Sequence, residues 1–126
     1  MDIKISNMSS VPIYQQVATQ IKSSILNGSL KCNDQLPSIR SLSKELEVGI
    51  ITVKKSYEVL LQEELIYSKG AVGYFVNDID LDTVLSIKKE EYLVELKGII
   101  DRAINDGLNI DDVKTIVDRV LEENNL

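Results

Sequence analysis

Across residues 12–76 the spacing of apolar residues changes period once, and that single change sets most of what the chain can become. Up to about Glu64 the apolar positions recur every three or four residues, the period of a helix buried on one face. From Leu65 they alternate, as in a half-buried strand. In the first helical segment Ile13, Val17, Ile21 and Ile25, with Tyr14, Ala18 and Leu26, make one apolar face. Ser10 is the expected N-cap, Pro12 suits the first turn, and Gly28 is placed to end the helix. A turn at Asn33-Asp34 follows. Pro37 then opens a short helix from Ser38 to about Leu46, with Ile39, Leu42 and Leu46 inward. Glu47-Val48-Gly49 is a tight connection. A third helix is expected from about Ile50 to Glu64, burying Val53, Tyr57, Leu60 and Leu61 and showing Ile50, Ile51, Lys54 and Lys55 outward.

The alternating runs Leu65–Ser68 and Gly73–Val76 are joined by Lys69-Gly70-Ala71-Val72, a hairpin tip. Three helices followed by a two-stranded ribbon describe a winged helix-turn-helix over residues 1–76. Residues 77–126 read as a two-helix extension. Asp80 or Asp82 is placed to cap a long helix reaching about Asn105, since carboxylates favour the positive helix end. Asp106-Gly107 breaks it, and Asn109 caps a last helix with an apolar stripe from Ile110 to Leu121. The fold class expected is mainly α with a small β-hairpin.

Missing residue types narrow the chemistry. The chain has no histidine and no tryptophan. The commonest general base and commonest metal ligand are therefore absent. No GxSxG, Walker A or GxGxxG pattern occurs. No catalytic residue, metal site or cofactor is expected, and the chain reads as something other than an enzyme. No run approaches the roughly 20 apolar residues of a membrane span. The first residues, MDIKISNMSS, lack an apolar signal core. A single cysteine, Cys32, suits a reducing compartment, so a cytoplasmic location without a membrane partner is expected.

The formal net charge of −6 argues at first against a polyanionic partner, but the charge is unevenly spread. Residues 1–76 carry eight basic and seven acidic side chains, net +1, whereas residues 77–126 carry six and thirteen, net −7. The acidity lies in the extension. The first part can still meet nucleic acid if its cations gather on one face.

In a helix-turn-helix the second helix presents its first turn to base edges in the major groove. Arg40, in the first turn of the supporting helix, can grip a phosphate or a guanine edge bidentately. Lys54 and Lys55 lie one turn into the reading helix, and Thr52 can donate to a phosphate or a base. The hairpin tip can lie across the adjacent minor groove, where Gly70 permits close backbone approach. Each feature has a plainer alternative. A lysine pair is usually a solvated face, Arg40 can pair with Glu45 or Asp34, and Ile50 or Ile51 can belong to the core. The order of the elements favours DNA.

The run from Pro12 to Val76 resembles the DNA-binding domain of the GntR family of bacterial transcriptional regulators. The matching segments are PIYQQVATQIKSSILNGSL, LPSIRSLSKELEV, ITVKKSYEVLLQEELI and GYFV, with Leu36-Pro37-Ser38-x-Arg40 followed by Leu42, Leu46 and Val48 as the strongest signature. The short tail resembles the YtrA-like subgroup, whose members are often associated with genes for ABC transporters. The resemblance places DNA contacts at Ser38, Arg40, Ile50, Ile51, Thr52, Lys54 and Gly70, beside which the basic Lys55 and Lys69 are added. Ile50 and Ile51 depart from the polar or basic residues common in the family. An isoleucine reads only a thymine methyl or shape, so A·T-leaning contacts are expected there. Ala71-Val72 makes the hairpin tip poorer in charge than usual.

One reading head offers roughly 600–1,000 Å² of interface, too little to select one genomic site. Two heads on a common frame multiply affinity and read an inverted repeat. Leu85, Tyr92, Leu96, Ile99 and Ala103 lie along one side of the long helix as the expected dimer seam. The alternative is that the tail helices bury their stripes only within one chain. The resulting expectation is a homodimeric repressor on double-stranded operator DNA, with no effector identified. The rival from another class is a winged-helix module that docks a protein through its acidic tail.

Overall fold

A computed structural model describes residues 2–125 of the chain. It contains five α-helices and one antiparallel hairpin: α1 (Ile13–Leu26), α2 (Ile39–Leu46), α3 (Ile50–Gln62), β1 (Ile66–Ser68), β2 (Tyr74–Val76), α4 (Leu81–Asn105) and α5 (Ile110–Asn124). The chain forms two compact units, one running to Asp80 and the other from Leu81.

In the first unit, α1, α2, α3 and the hairpin close over one core. Val17, Ile21, Leu42, Val53 and Leu60 are wholly shielded from solvent, with Tyr57, Ile66 and Val76 beside them. Leu61, Ile39 and Leu46 pack at its margin, half-buried. Removing several such side chains from water, each contributing roughly 1.5–3 kcal/mol, is the main term holding so small a unit together. Among the described residues Ser56 is the one polar side chain wholly shielded from solvent, and it is satisfied: its hydroxyl lies 2.8 Å from the Tyr14 carbonyl and 3.1 Å from that of Thr52. It ties α3 to the start of α1.

Local chemistry sets the helix ends. α1 begins after Pro12, not under a Ser10 cap, and no side chain caps it. Its end is the expected one: Gly28 follows at φ +84°, and the Leu30 amide bonds back to the Ser24 carbonyl. Ser38 caps α2, its Oγ accepting from the Ser41 amide at 3.0 Å. α2 stops where Glu47 turns left-handed at φ +56°. The Ser43 hydroxyl donates to the Val48 carbonyl, and the Val48 amide returns a 3.1 Å bond to the Ser43 carbonyl. Those bonds fix the turn between α2 and α3. α3 ends at Gln62, two residues short of Glu64, because Glu64 adopts φ +60°.

The hairpin pairs Ile66 with Val76, Tyr67 with Phe75 and Ser68 with Tyr74. Leu65 and Gly73, expected inside the strands, lie just outside. The Leu65 amide still bonds the Leu60 carbonyl, and Gly73 sits at φ +133°. Residues 33–36 add a third extended segment. The Leu36 amide donates to Tyr74, Val76 to Asp34, and Asn33 to Val76, each at 2.8–2.9 Å. β2 is thus flanked on both edges. The Asn33-Asp34 turn is present, with Asn33 at φ +69° and the Asp34 carboxylate accepting from the Lys31 amide at 2.8 Å.

An extended arm precedes α1. The Gln20 amide group pairs with both backbone groups of Lys4 (2.9 and 2.6 Å), and Gln16 does the same for Ser6 (2.9 and 3.0 Å). Ile3 and Ile5 then pack half-buried against the core.

In the second unit, α4 runs 25 residues with Asp82 in its first turn. α5 starts with a reciprocal capping box: Asn109 Oδ1 accepts from the Asp112 amide at 2.8 Å, and the Asp112 carboxylate accepts from the Asn109 amide at 3.0 Å. Among the described residues of this unit none is fully buried, and Leu96, Ile99, Ile116 and Val120 are each about half exposed. No helix among the described residues is long and apolar enough to cross a membrane.

Candidate nucleic-acid interface

The inner face of α3 is core, carrying Val53, Tyr57 and Leu60. Its first turn is the reverse. Ile50 is 49% and Ile51 82% exposed, so neither belongs to the core. Leaving an isoleucine that open forgoes roughly 2 kcal/mol of burial, so neither is a packing residue of this unit. Thr52 is half-buried, Lys54 and Lys55 are exposed, and Gly49 caps the helix without a side-chain acceptor. The first amides of α3 are thus not occupied by a capping side chain, and the positive helix end faces outward.

Lys54 and Lys55 differ in surroundings. Lys55 Nζ lies 4.0 Å from the centroid of the Tyr14 ring, a cation–π contact that holds it over the start of α1. Among the described residues Lys54 has no such ring partner.

Ser38 and Arg40 project from the start of α2, both exposed. The Ser38 hydroxyl uses its oxygen for the cap, which leaves its proton available as a donor. Facing them is the hairpin tip, where residues Gly70–Val72 form a single 3-10 turn. Gly70 has φ +55° and open space where a Cβ would stand. Ser38, Arg40, Gly70 and Ala71 border one groove of about 270 Å³. Lys69, before the turn, has its ammonium 5.0 Å from the Phe75 ring centroid, and Phe75 stacks on Tyr67 at 5.7 Å.

Two determinants of this surface are absent from the residues singled out by sequence. Gln35 donates from Nε2 to the Val72 carbonyl at 3.0 Å. Tyr57, counted only as core, donates from its hydroxyl to the Pro37 carbonyl at 2.6 Å and packs edge-on to Tyr74 at 5.1 Å. Burial, the neighbouring Tyr74 and then Glu45 push its phenol above the ordinary tyrosine range. A tyrosine three positions after Lys54 was the visible signal for the second. Nothing in the spacing of Gln35 marked the first.

Residues 13–76 match the model of the gntR family of bacterial regulatory proteins. The chain belongs to the GntR family. It is a DNA-binding transcriptional regulator of that family and not an enzyme. It is 31% identical over 109 residues to the HTH-type transcriptional repressor YtrA of Bacillus subtilis, covering 86% of this chain and 84% of that protein. Among solved structures, YtrA from Sulfolobus acidocaldarius, a GntR-family transcription factor, superposes with a TM-score of 0.60 at 38% identity, over 73% of this chain and 97% of that one. A transcriptional regulator from Oenococcus oeni superposes with a TM-score of 0.72 at 26% identity, over 93% of this chain and 97% of that one. The DNA-binding domain of AraR in complex with operator ORE1 shares the fold at a TM-score of 0.51 and 26% identity, over 60% of this chain and 93% of that one.

Proposed function

We propose that the chain is a homodimeric, sequence-specific repressor that occludes promoter DNA at an inverted-repeat operator, and that the operon it controls encodes an ABC transporter. The observation carrying the sequence-specific part is the first turn of α3, where an isoleucine stands 82% exposed beside Lys54 on a helix whose other face is core. In this reading Ile50 and Ile51 meet thymine methyls, Thr52 and Lys54 meet bases or phosphate, and Ser38 and Arg40 grip the backbone. Lys55 supplies charge from its place over Tyr14. Lys69 and Gly70 bring the wing to the neighbouring minor groove. AraR, whose DNA-binding domain was solved on its operator, supports a DNA role for this fold, and the repressor YtrA supports repression.

The dimer rests on the second unit. Leu96, Ile99 and Ala103 of α4 and Val113, Val117 and Val120 of α5 line a wholly apolar groove of about 420 Å³. Leu85 and Tyr92 continue the stripe along α4, 42% and 64% exposed. So large an open apolar surface on a 46-residue unit is covered most simply by a second copy.

A mobility-shift titration against DNA from upstream of the protein's own gene, at about 50 and about 200 mM salt, tests this. With about three basic contacts per head, affinity falls roughly 10³-fold between the two conditions, and scrambling one half-site weakens binding further. If no upstream fragment outcompetes random DNA, the repressor reading is lost and the protein-docking alternative gains.

A further inference from the structure

We propose that Gln35 is a positioning residue for DNA recognition: it tethers the wing tip so that Lys69 and Gly70 are held at a set distance from Arg40. This rests on the reading that the surface binds DNA. The wing is a short hairpin whose tip, residues 70–72, is exposed and carries no buried side chain. A two-stranded hairpin of this length is marginal on its own in water. What holds its tip is polar. Gln35 Nε2 donates to the Val72 carbonyl at 3.0 Å, across 37 positions of sequence.

Gly73 completes the lock. At φ +133° it adopts backbone that side chains rarely enter, and a Cβ there would stand 2.9 Å from Gln35 Nε2. The Gln35 amide occupies the space that the glycine leaves. The Gln35 backbone also pairs with Phe75, so the side chain reaches the tip from a segment already fixed to β2. Ser38 and Arg40 follow three and five residues later on the same stretch of chain. One residue thus joins the two walls of the groove, the start of α2 on one side and the wing on the other. A tip left free would pay its ordering cost on each binding event, whereas a tethered one has paid it in advance.

The variant to make is Gln35→Met, which keeps length and volume but cannot donate. The probe is the tightest 30-base-pair duplex that the unaltered full chain selects from a random-sequence pool. Affinity is expected to fall about five- to tenfold, the worth of one hydrogen bond and the order it maintains. Hydroxyl-radical protection should vanish at the flanks contacted by the wing and persist where α3 lies. Lys69→Ala should weaken the unaltered protein but add little in the Gln35→Met background, because the wing has already been released. Gln35→Lys, which restores a donor of similar reach, should bring back the flanking protection. Thermal melting should fall only slightly in Gln35→Met, because the lost bond lies at an exposed tip and the core is untouched.

Equal affinity with intact flanking protection in Gln35→Met, or full additivity with Lys69→Ala, overturns the positioning role and leaves the DNA reading standing. Uniform loss of protection over the whole site also overturns it, since that would mark a general defect. If the unaltered chain enriches no duplex, the DNA reading falls and this inference with it.

Discussion

The Tyr57 hydroxyl donates a 2.6 Å hydrogen bond to the Pro37 carbonyl, joining α3 to the residue before the α2 cap. Pro37 precedes the Ser38 cap and Arg40, so the bond sets where the exposed end of α2 stands relative to α3. Tyr57→Phe keeps the packing against Tyr74 and loses the bond. A loss of about 1–2 kcal/mol is expected in a urea melt. The same substitution should change the alkaline limb of stability. The fold holds the phenol proton more tightly than the unfolded chain, whose value is near 10.0. Stability from this group is therefore whole below pH 10 and falls as pH rises past it, by at most about 1.4 kcal/mol per pH unit. Melts at about pH 8 and about pH 11 should show a smaller drop for Tyr57→Phe than for the unaltered protein.

Arg40 and Lys54 are exposed and outside the core, so their removal is expected to cost binding without costing the fold. Arg40→Ala and Lys54→Ala should each weaken the DNA complex by about 1–3 kcal/mol. Where the lost contact is to phosphate, the salt slope should fall by about one and all sequences should weaken alike. Where it is to a base, specificity should relax at one position. Lys55→Ala is the useful comparison, because its ammonium is held over Tyr14 and should contribute less to discrimination. Unaltered affinity for both Arg40→Ala and Lys54→Ala would remove these side chains from the interface.

Much of this architecture was legible because local signals and burial agree. The Asn109-x-x-Asp112 spacing announces the start of α5, and both bonds of the box are present. The three-and-four spacing of Val53, Tyr57 and Leu60 marks the buried face of α3, leaving Ile51 outside. What escaped notice depends on partners distant in sequence. Residues 33–36 carry turn-forming Asn33 and Asp34 and no β-branched side chain, so nothing local predicts that they line the free edge of β2. Gln16 and Gln20 sit on a helix surface like any solvated pair, and only tertiary placement turns their amides onto Ser6 and Lys4. The same is true of Gln35. Long-range side-chain-to-backbone bonds have no period, and so leave no pattern to read. On α4 the difficulty is opposite: Tyr92, Leu93 and Val94 are all exposed in succession, so more than one face is apolar and periodicity alone does not single out a seam.

Glu47 ends α2 in the left-handed region at φ +56°, a conformation that costs most side chains about 1–2 kcal/mol. A β-branched residue tolerates it worst. Glu47→Val should therefore destabilise the protein by at least about 1 kcal/mol in a urea melt, although Glu47 is exposed and its carboxylate is not part of the core. Glu47→Asn should be close to neutral, since asparagine enters this region readily. Because the Ser43–Val48 bonds hold the same turn, the valine variant should also displace α2 from α3, lowering DNA affinity beyond the loss of stability. Equal melts for the two variants would show that the left-handed geometry is not maintained in solution.

Leu96 stands at the wall of the apolar groove between α4 and α5, 49% exposed. In a single chain a carboxylate at that position keeps access to water, and the helix should survive. Across a dimer seam the same charge would be buried with no partner, at a cost of several kcal/mol. Leu96→Asp is thus expected to raise the dimer dissociation constant at least about 100-fold and to sediment as a monomer with unchanged helical circular dichroism. Each reading head would remain folded, because its core draws on residues up to Asp80 and not on α4. Operator affinity should nevertheless fall by about 10²–10⁴, the contribution of linking two heads on one duplex. Ile87→Asp, on a different side of α4, is the control that should leave the dimer intact. A dimer that survives Leu96→Asp but separates with Ile87→Asp would move the seam to the Ile87–Val94 side. A protein that is monomeric before any substitution would end the dimer proposal, and with it the expectation of an inverted repeat.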